Sequence, residues 1–212
     1  MKTIFYGDPA ADTVVMQLTH ADMAEEAERV ASLLLKHGAA QSLCVAAVFV
    51  DDWNRDLSPW PAPPVFGKTP FGGNAERTLA FLQAELLPGL GADRKTVYLG
   101  GYSLAGLFAL WAGAKTDAFA GIAAASPSVW YPDYLTYAGQ NPILAPKIYL
   151  SLGDKEEKTR NPVMAKVGDA IRALPDIFAQ QGADCTLEWN EGNHFRDSDL
   201  RLAKAFTALL ER

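Results

Sequence analysis

The sequence predicts an α/β fold built on a mostly parallel sheet with helices on both faces. Three observations carry this. β-branched and apolar runs of strand length alternate with amphipathic runs of helix length along the chain. Leu43 to Val50 is continuously apolar, as suits a strand covered on both faces. Finally, Thr96 to Tyr102 enters the pair Gly100-Gly101, meets Ser103, and leaves as the proline-free apolar run Leu104 to Ala112. That reads as strand, abrupt turn and helix.

In chain order, Thr3 to Tyr6 is a short first strand and Thr13 to Thr19 a stronger one. Asp22 is placed to cap a helix, with Glu25 completing a capping box. Ala27, Val30, Ala31, Leu34 and Leu35 recur at helical spacing, His37 stands at the helix end, and Gly38 is the expected stop. After Leu43 to Val50 comes Asp51 to Asn74, rich in proline, glycine and large aromatics, which reads as a long pocket-lining loop. Asn74 caps the next helix, which stops at Pro88-Gly89. Ala120 to Ala125 and Lys147 to Leu152 are further buried strands, and the first leads into an aromatic loop around Trp130. Asn161-Pro162 opens a helix expected to kink at Pro175. Cys185 to Trp189 alternates as the last strand, and Asp197 or Ser198 caps a final helix with Leu200, Ala203, Phe206 and Leu210 on one face.

The chain's 212 residues, 49% hydrophobic and 21% charged, fit one domain over 1–212 with a sizeable core. A net charge of -6 without a basic stripe excludes nucleic acid as a partner. No apolar run reaches membrane-spanning length, and the N-terminal one is too short for a signal peptide, so a cytoplasmic protein with no membrane partner is expected. Cys44 and Cys185 read as core thiols of a reducing compartment. No His, Cys and carboxylate set has metal-ligand spacing, and no glycine-rich stretch has a phosphate-loop or dinucleotide pattern, so neither a metal nor a cofactor is expected.

In such sheets ligands bind beyond the carboxyl ends of the strands. Ser103 sits at such an end, on a turn so tight that Gly101 and Ala105 must both be small. Its hydroxyl is a candidate nucleophile, and the N–H of Leu104, at the start of the following helix, a candidate oxyanion donor. A serine nucleophile needs a base and an acid to orient it. Of the three histidines, His194 follows the last strand and is the candidate base. The loop after Lys147 to Leu152 offers Asp154, Glu156 and Glu157, with Glu156 favoured as the acid. A main-chain amide at His20 or Ala21 is the candidate second oxyanion donor. Trp53, Arg55, Trp130 and Tyr131 are the candidate substrate-pocket side chains.

These stretches, together with Val48 to Pro59, Phe71 to Ala75, Glu85 to Pro88, Gly101 to Leu107, Ser126 to Trp130, Leu152 to Glu156 and Gly192 to Phe195, resemble the esterase family of α/β-hydrolases. That family includes enterochelin-type siderophore esterases, esterase D-like enzymes and mycolyltransferases. The resemblance implies an α/β-hydrolase fold without a large lid. It implies a serine carboxylester hydrolase that forms an acyl-enzyme on a small acyl or siderophore-like ester and needs no cofactor. Ser103 would be nucleophile, His194 base and Glu156 acid; Ala105 departs from the family's usual glycine. Acyl transfer to an alcohol or sugar, and a non-catalytic binding role on the same scaffold, stay open, as does a homo-oligomer.

Overall fold

The computed structural model describes residues 1–37 and 42–211, so the helix stop expected at Gly38 lies outside the described residues. The strands are β1 (Lys2–Gly7), β2 (Thr13–His20) and β3 (Leu43–Val50), then the short pair β4 (Pro61–Ala62) and β5 (Phe71–Gly72). β6 (Thr96–Tyr102), β7 (Gly121–Ala125), β8 (Lys147–Gly153) and β9 (Asp184–Asn190) follow. The seven-stranded sheet has the order β1-β3-β2-β6-β7-β8-β9. Only β1 runs antiparallel to its neighbour in that sheet.

The helices are α1 (Ala24–His37), α2 (Trp53–Asp56), α3 (Ala75–Phe81), α4 (Leu87–Gly89), α5 (Leu104–Gly113), α6 (Tyr134–Gln140), α7 (Val167–Gln180) and α8 (Ser198–Leu210). Alternate strand residues divide the core into two layers. Val15, Val45, Tyr98, Ala123 and Tyr149 face α1 and α8, whose Leu34, Leu202, Phe206 and Leu209 cover them. Met16, Ala46, Leu99, Ile122 and Leu150 face α3, α5, α6 and α7. Helix α5 is buried along its whole length, which is why its run from Leu104 to Gly113 carries no charge.

Several local expectations need correction. Asp22 does not cap α1: His20 precedes a 3₁₀ turn, Ala21–Met23, and its Nδ1 accepts the Asp22 N–H at 3.4 Å. Asn74 occupies the N-cap of α3, but its side chain makes no cap hydrogen bond. Asn161 Oδ1 instead does cap, accepting Val163 and Met164 N–H at 3.0 and 3.2 Å, and α7 begins only at Val167 and runs on through Pro175. The aromatic loop after β7 contains α6, where Tyr134 is fully buried core. The inward face of α8 is Arg201, Leu202, Ala203, Ala205, Phe206 and Leu209; of the expected face, Ala203 and Phe206 are buried, Leu210 is half-buried and Leu200 is 52% exposed. The expected stripe left out Arg201, a charged residue at a core position, and took in Leu200 instead. Neither Cys44 nor Cys185 forms a disulfide, and they lie on strands near opposite ends of the sheet order.

Asp51 to Asn74 is ordered, with α2 and the β4–β5 ladder inside it. Its aromatics pack mainly on the loop after β7: Phe71 meets Tyr131 edge-on at 5.1 Å, and Trp60 Nε1–H donates to Pro132 O at 3.1 Å. This burial explains how large side chains tolerate a proline-rich excursion.

Candidate active site

β6 ends in a turn that puts Ser103 at φ 58 and ψ -121, a region that L residues rarely occupy. Its backbone is clamped on both sides. Ser103 N–H donates to Ala125 O at 3.1 Å, and Ser103 O accepts from Ser128 N–H at 3.0 Å and Leu107 N–H at 3.1 Å. Strand and helix approach so closely that a Cβ on Gly101 would lie 2.4 Å from Ala105 Cβ and 2.8 Å from Ala105 carbonyl carbon. One of the two positions can carry a methyl, and here it is 105. Gly101→Ala is therefore expected to destabilise the fold by about 1–3 kcal/mol. Adding Ala105→Gly should recover only part of this, because the backbone contact remains; urea unfolding of both variants checks it.

The hydroxyl at the tip of this turn meets the loops after β8 and β9. Ser103 Oγ lies 3.0 Å from His194 Nε2, and His194 Nδ1 lies 2.7 Å from Glu156 Oε2. With Glu156 ionised, the network assigns the ring proton to Nδ1, donated to the carboxylate, and leaves Nε2 to accept from Ser103. Ser128 Oγ stands 3.3 Å from Ser103 Oγ. The other two acids of the loop are occupied elsewhere: Asp154 Oδ1 accepts Gly192 N–H at 2.7 Å, and Glu157 pairs with Arg172 at 2.8 Å. Asp154 N–H to Asn190 O and Lys155 N–H to Gly192 O then zip the acid loop to the histidine loop.

Glu156 is buried, and its Oε1 accepts Ser126 Oγ–H at 2.7 Å, Gly153 N–H at 2.7 Å and Arg201 Nη1–H at 3.1 Å. Gly153 has no room for a side chain here, since a Cβ would sit 2.9 Å from that oxygen and 2.3 Å from Gly192 O. Burial pushes the Glu156 carboxyl up, but the hydrogen bond and charge of His194, then Ser126 and Gly153, outweigh it and hold the group below its ordinary value. Behind the histidine, Tyr102 O–H donates to His194 O at 2.9 Å, and burial pushes that phenol up to about 12.

Leu104 opens α5 directly after Ser103, so its N–H is one of the amides that a helix leaves without an internal partner. β2 lies beside β6 with Leu18 level with Gly101, which brings Thr19, His20 and Ala21 alongside the turn. The Nδ1 of His20 is engaged within its own turn, accepting the Asp22 N–H at 3.4 Å.

A cavity of about 270 Å³ opens beside His194, lined by Trp130, Met164, Val167, Phe195, Lys155 and Lys158 among others. Phe195 is 88% exposed at its rim. Of the four expected pocket residues, Trp130 lines this cavity, and Trp53 lines a separate small cleft with Thr19 and Tyr102. Arg55 and Tyr131 are not brought there. Arg55 is paired with Asp56 at 2.8 Å, and the buried Tyr131 spends its hydroxyl on Trp60 O at 2.6 Å. Sequence reading missed Ser126, Ser128, Tyr102 and Arg201. Only Arg201 left a signal, a charge inside an otherwise apolar helix stripe.

Neither a protein-family model nor a curated protein matches this sequence. Solved structures do. An IroE-like serine hydrolase from Shewanella oneidensis superposes with a TM-score of 0.80 at 20% identity, over 99% of this chain and 75% of the other. The siderophore hydrolase EstA from Aspergillus nidulans gives 0.74 at 21% identity, over 96% and 84%. The Bacillus cereus carboxylesterase gives 0.66 at 17% identity, over 100% and 94%. Among the described residues no helix is long and apolar enough to cross a membrane. With its mostly parallel sheet, its serine at the β6–α5 turn and these structural counterparts, the chain has the α/β-hydrolase fold.

Proposed function

We propose that this chain is a serine carboxylester hydrolase acting through a covalent acyl-enzyme. The observation that carries the reading is the unbroken relay from Ser103 Oγ to His194 Nε2, and from Nδ1 to Glu156 Oε2. Ser103 Oγ attacks the ester carbonyl carbon while its proton passes to His194 Nε2. Glu156 holds the resulting imidazolium, and Leu104 N–H, with an amide of the His20-Ala21 turn, receives the tetrahedral oxyanion. Collapse breaks the ester C–O bond, and the departing alkoxide takes the proton from Nε2. Water, deprotonated by the same nitrogen, then releases the acid and restores Ser103.

The substrate class we favour is a small acyl or siderophore-like ester. The modest cavity beside His194 and the siderophore hydrolase among the structural counterparts support it. Its apolar wall of Trp130, Met164, Val167 and Phe195 suits an aryl or short aliphatic group. A panel of p-nitrophenyl esters with graded acyl chains tests this, run with and without an added alcohol. Burst release of p-nitrophenol with free acid as the sole product is the expected result. Acyl product accumulating on the alcohol in preference to water would assign transfer, and no turnover of any ester would assign a binding role.

A further inference from the structure

The least expected group near the site is the Arg201 guanidinium. Its side chain is 3% exposed and projects from α8, whose other inward residues are apolar. A buried cation is costly, and an aliphatic side chain of similar size would pack there without that cost. Its hydrogen bonds go to groups around the site. Nη1 donates to Glu156 Oε1 at 3.1 Å and to Tyr102 Oη at 3.2 Å, and lies 3.4 Å from Ser126 Oγ. Nη2 donates to Glu191 O at 2.9 Å, at the entry to the loop that carries His194. One planar fork thus spans the acid, the tyrosine that holds His194 O, and the histidine loop.

We propose, on the reading of Ser103, His194 and Glu156 as a catalytic triad, that Arg201 is its positioning residue. Its guanidinium, with Ser126 Oγ–H and Gly153 N–H, saturates Oε1 of Glu156 and leaves Oε2 alone to receive the Nδ1–H of His194. A carboxylate free to turn could offer either oxygen. Three donors on one of them fix the rotation, and one of the three carries a positive charge 3.1 Å from the carboxylate. The surrounding charged groups are differently engaged. Lys155 and Lys158 of the acid loop line the outer cavity, Asp154 holds Gly192 N–H, Glu157 pairs with Arg172, and Glu191 pairs with Arg196. Tyr102, from β6, faces the pair as a neutral phenol. Arg201 is the cation in contact with Glu156.

The test is the pH profile of kcat/KM for wild type, Arg201→Lys and Arg201→Gln, repeated in a Glu156→Gln background. Removing a cation raises the apparent pKa of the coupled His194–Glu156 pair. The acidic limb should therefore move up by about one pH unit in Arg201→Gln and by less than about 0.3 in Arg201→Lys. Arg201→Lys keeps the charge but cannot reach both Glu156 and Glu191 O, so kcat should fall several-fold with the limb in place. In the Glu156→Gln background either change should cost less than about threefold, because the group it acts through is gone. A merely structural arginine would lower thermal stability and leave the limb where it was. An unmoved limb in Arg201→Gln, an equal displacement in Arg201→Lys, or full additivity with Glu156→Gln overturns the proposal. Should Arg201→Gln not fold, the additivity of Arg201→Lys decides. Turnover that survives Ser103→Ala would instead defeat the triad reading. The His194 titration followed by ring NMR would then still report whether Arg201 holds the pair.

Discussion

Ser103→Ala is expected to lower kcat/KM for p-nitrophenyl esters by about 10⁴- to 10⁶-fold while leaving the fold intact. The methyl group fits the space that the hydroxyl vacates. The strained backbone at Ser103 is held by main-chain bonds to Ala125, Ser128 and Leu107, which the substitution leaves in place. What disappears is the oxygen placed 3.0 Å from His194 Nε2 to form the acyl bond. His194→Ala should cost a comparable factor, and the double variant little more than either single one, since nucleophile and base act as a unit. Initial rates on one ester, with circular dichroism to confirm folding, check all three variants. Multiplicative losses would show that the two residues act independently.

Glu156→Gln is expected to cost about 10²- to 10⁴-fold in kcat, with Asp154→Asn and Glu157→Gln staying close to wild type. The reason lies in how the amide must sit. Ser126, Gly153 and Arg201 all direct donors at the Oε1 position, so the glutamine places its carbonyl oxygen there and turns its NH₂ toward His194. An NH₂ facing Nδ1 selects the tautomer with its proton on Nε2, which can no longer accept from Ser103. The same geometry sets an acid dependence of stability. The folded carboxyl is held below its ordinary 4.5, so the folded chain binds this proton less readily than the unfolded one. Its contribution is complete above that value and is lost as pH falls through the lower folded one. Urea unfolding at neutral and acid pH should show a larger loss in wild type than in Glu156→Gln, which keeps the contributions of Asp56, Glu157 and Glu188, also held low. Normal turnover in Glu156→Gln with a large loss in Asp154→Asn would reassign the acid.

The convergence of Ser103, Glu156 and His194 was legible because each follows a strand, and parallel strands deliver their following loops to one sheet edge. The crossovers were legible for a similar reason: hydrophobic period distinguishes a buried strand such as β3 from an amphipathic helix such as α1. The support behind the acid was not legible. Arg201 occupies a core position of α8, so hydropathy favoured a stripe through Leu200, which faces solvent. Ser126 and Ser128 acquire their partners only through chain reversals, one of them at a residue with φ 44, and no periodic signal records that. The aromatics of Asp51 to Asn74 were expected to line a pocket, but Trp53 lines only a small cleft, Trp60 and Phe71 pack on the loop after β7, and Phe66 is 45% exposed. Whether a given ring faces a cavity or a neighbouring ring depends on a second loop, and this is why Trp130 lines the cavity while Tyr131 ties down the chain.

The most direct test of the central claim is labelling with a fluorophosphonate, which reacts only with an activated serine, followed by peptide mass spectrometry. One adduct per chain is expected, on the peptide carrying Ser103. It should be absent in Ser103→Ala and strongly slowed in His194→Ala. Labelling that persists in Ser103→Ala, or an adduct mapped to Ser126 or Ser128, would contradict the assignment of Ser103 as the nucleophile.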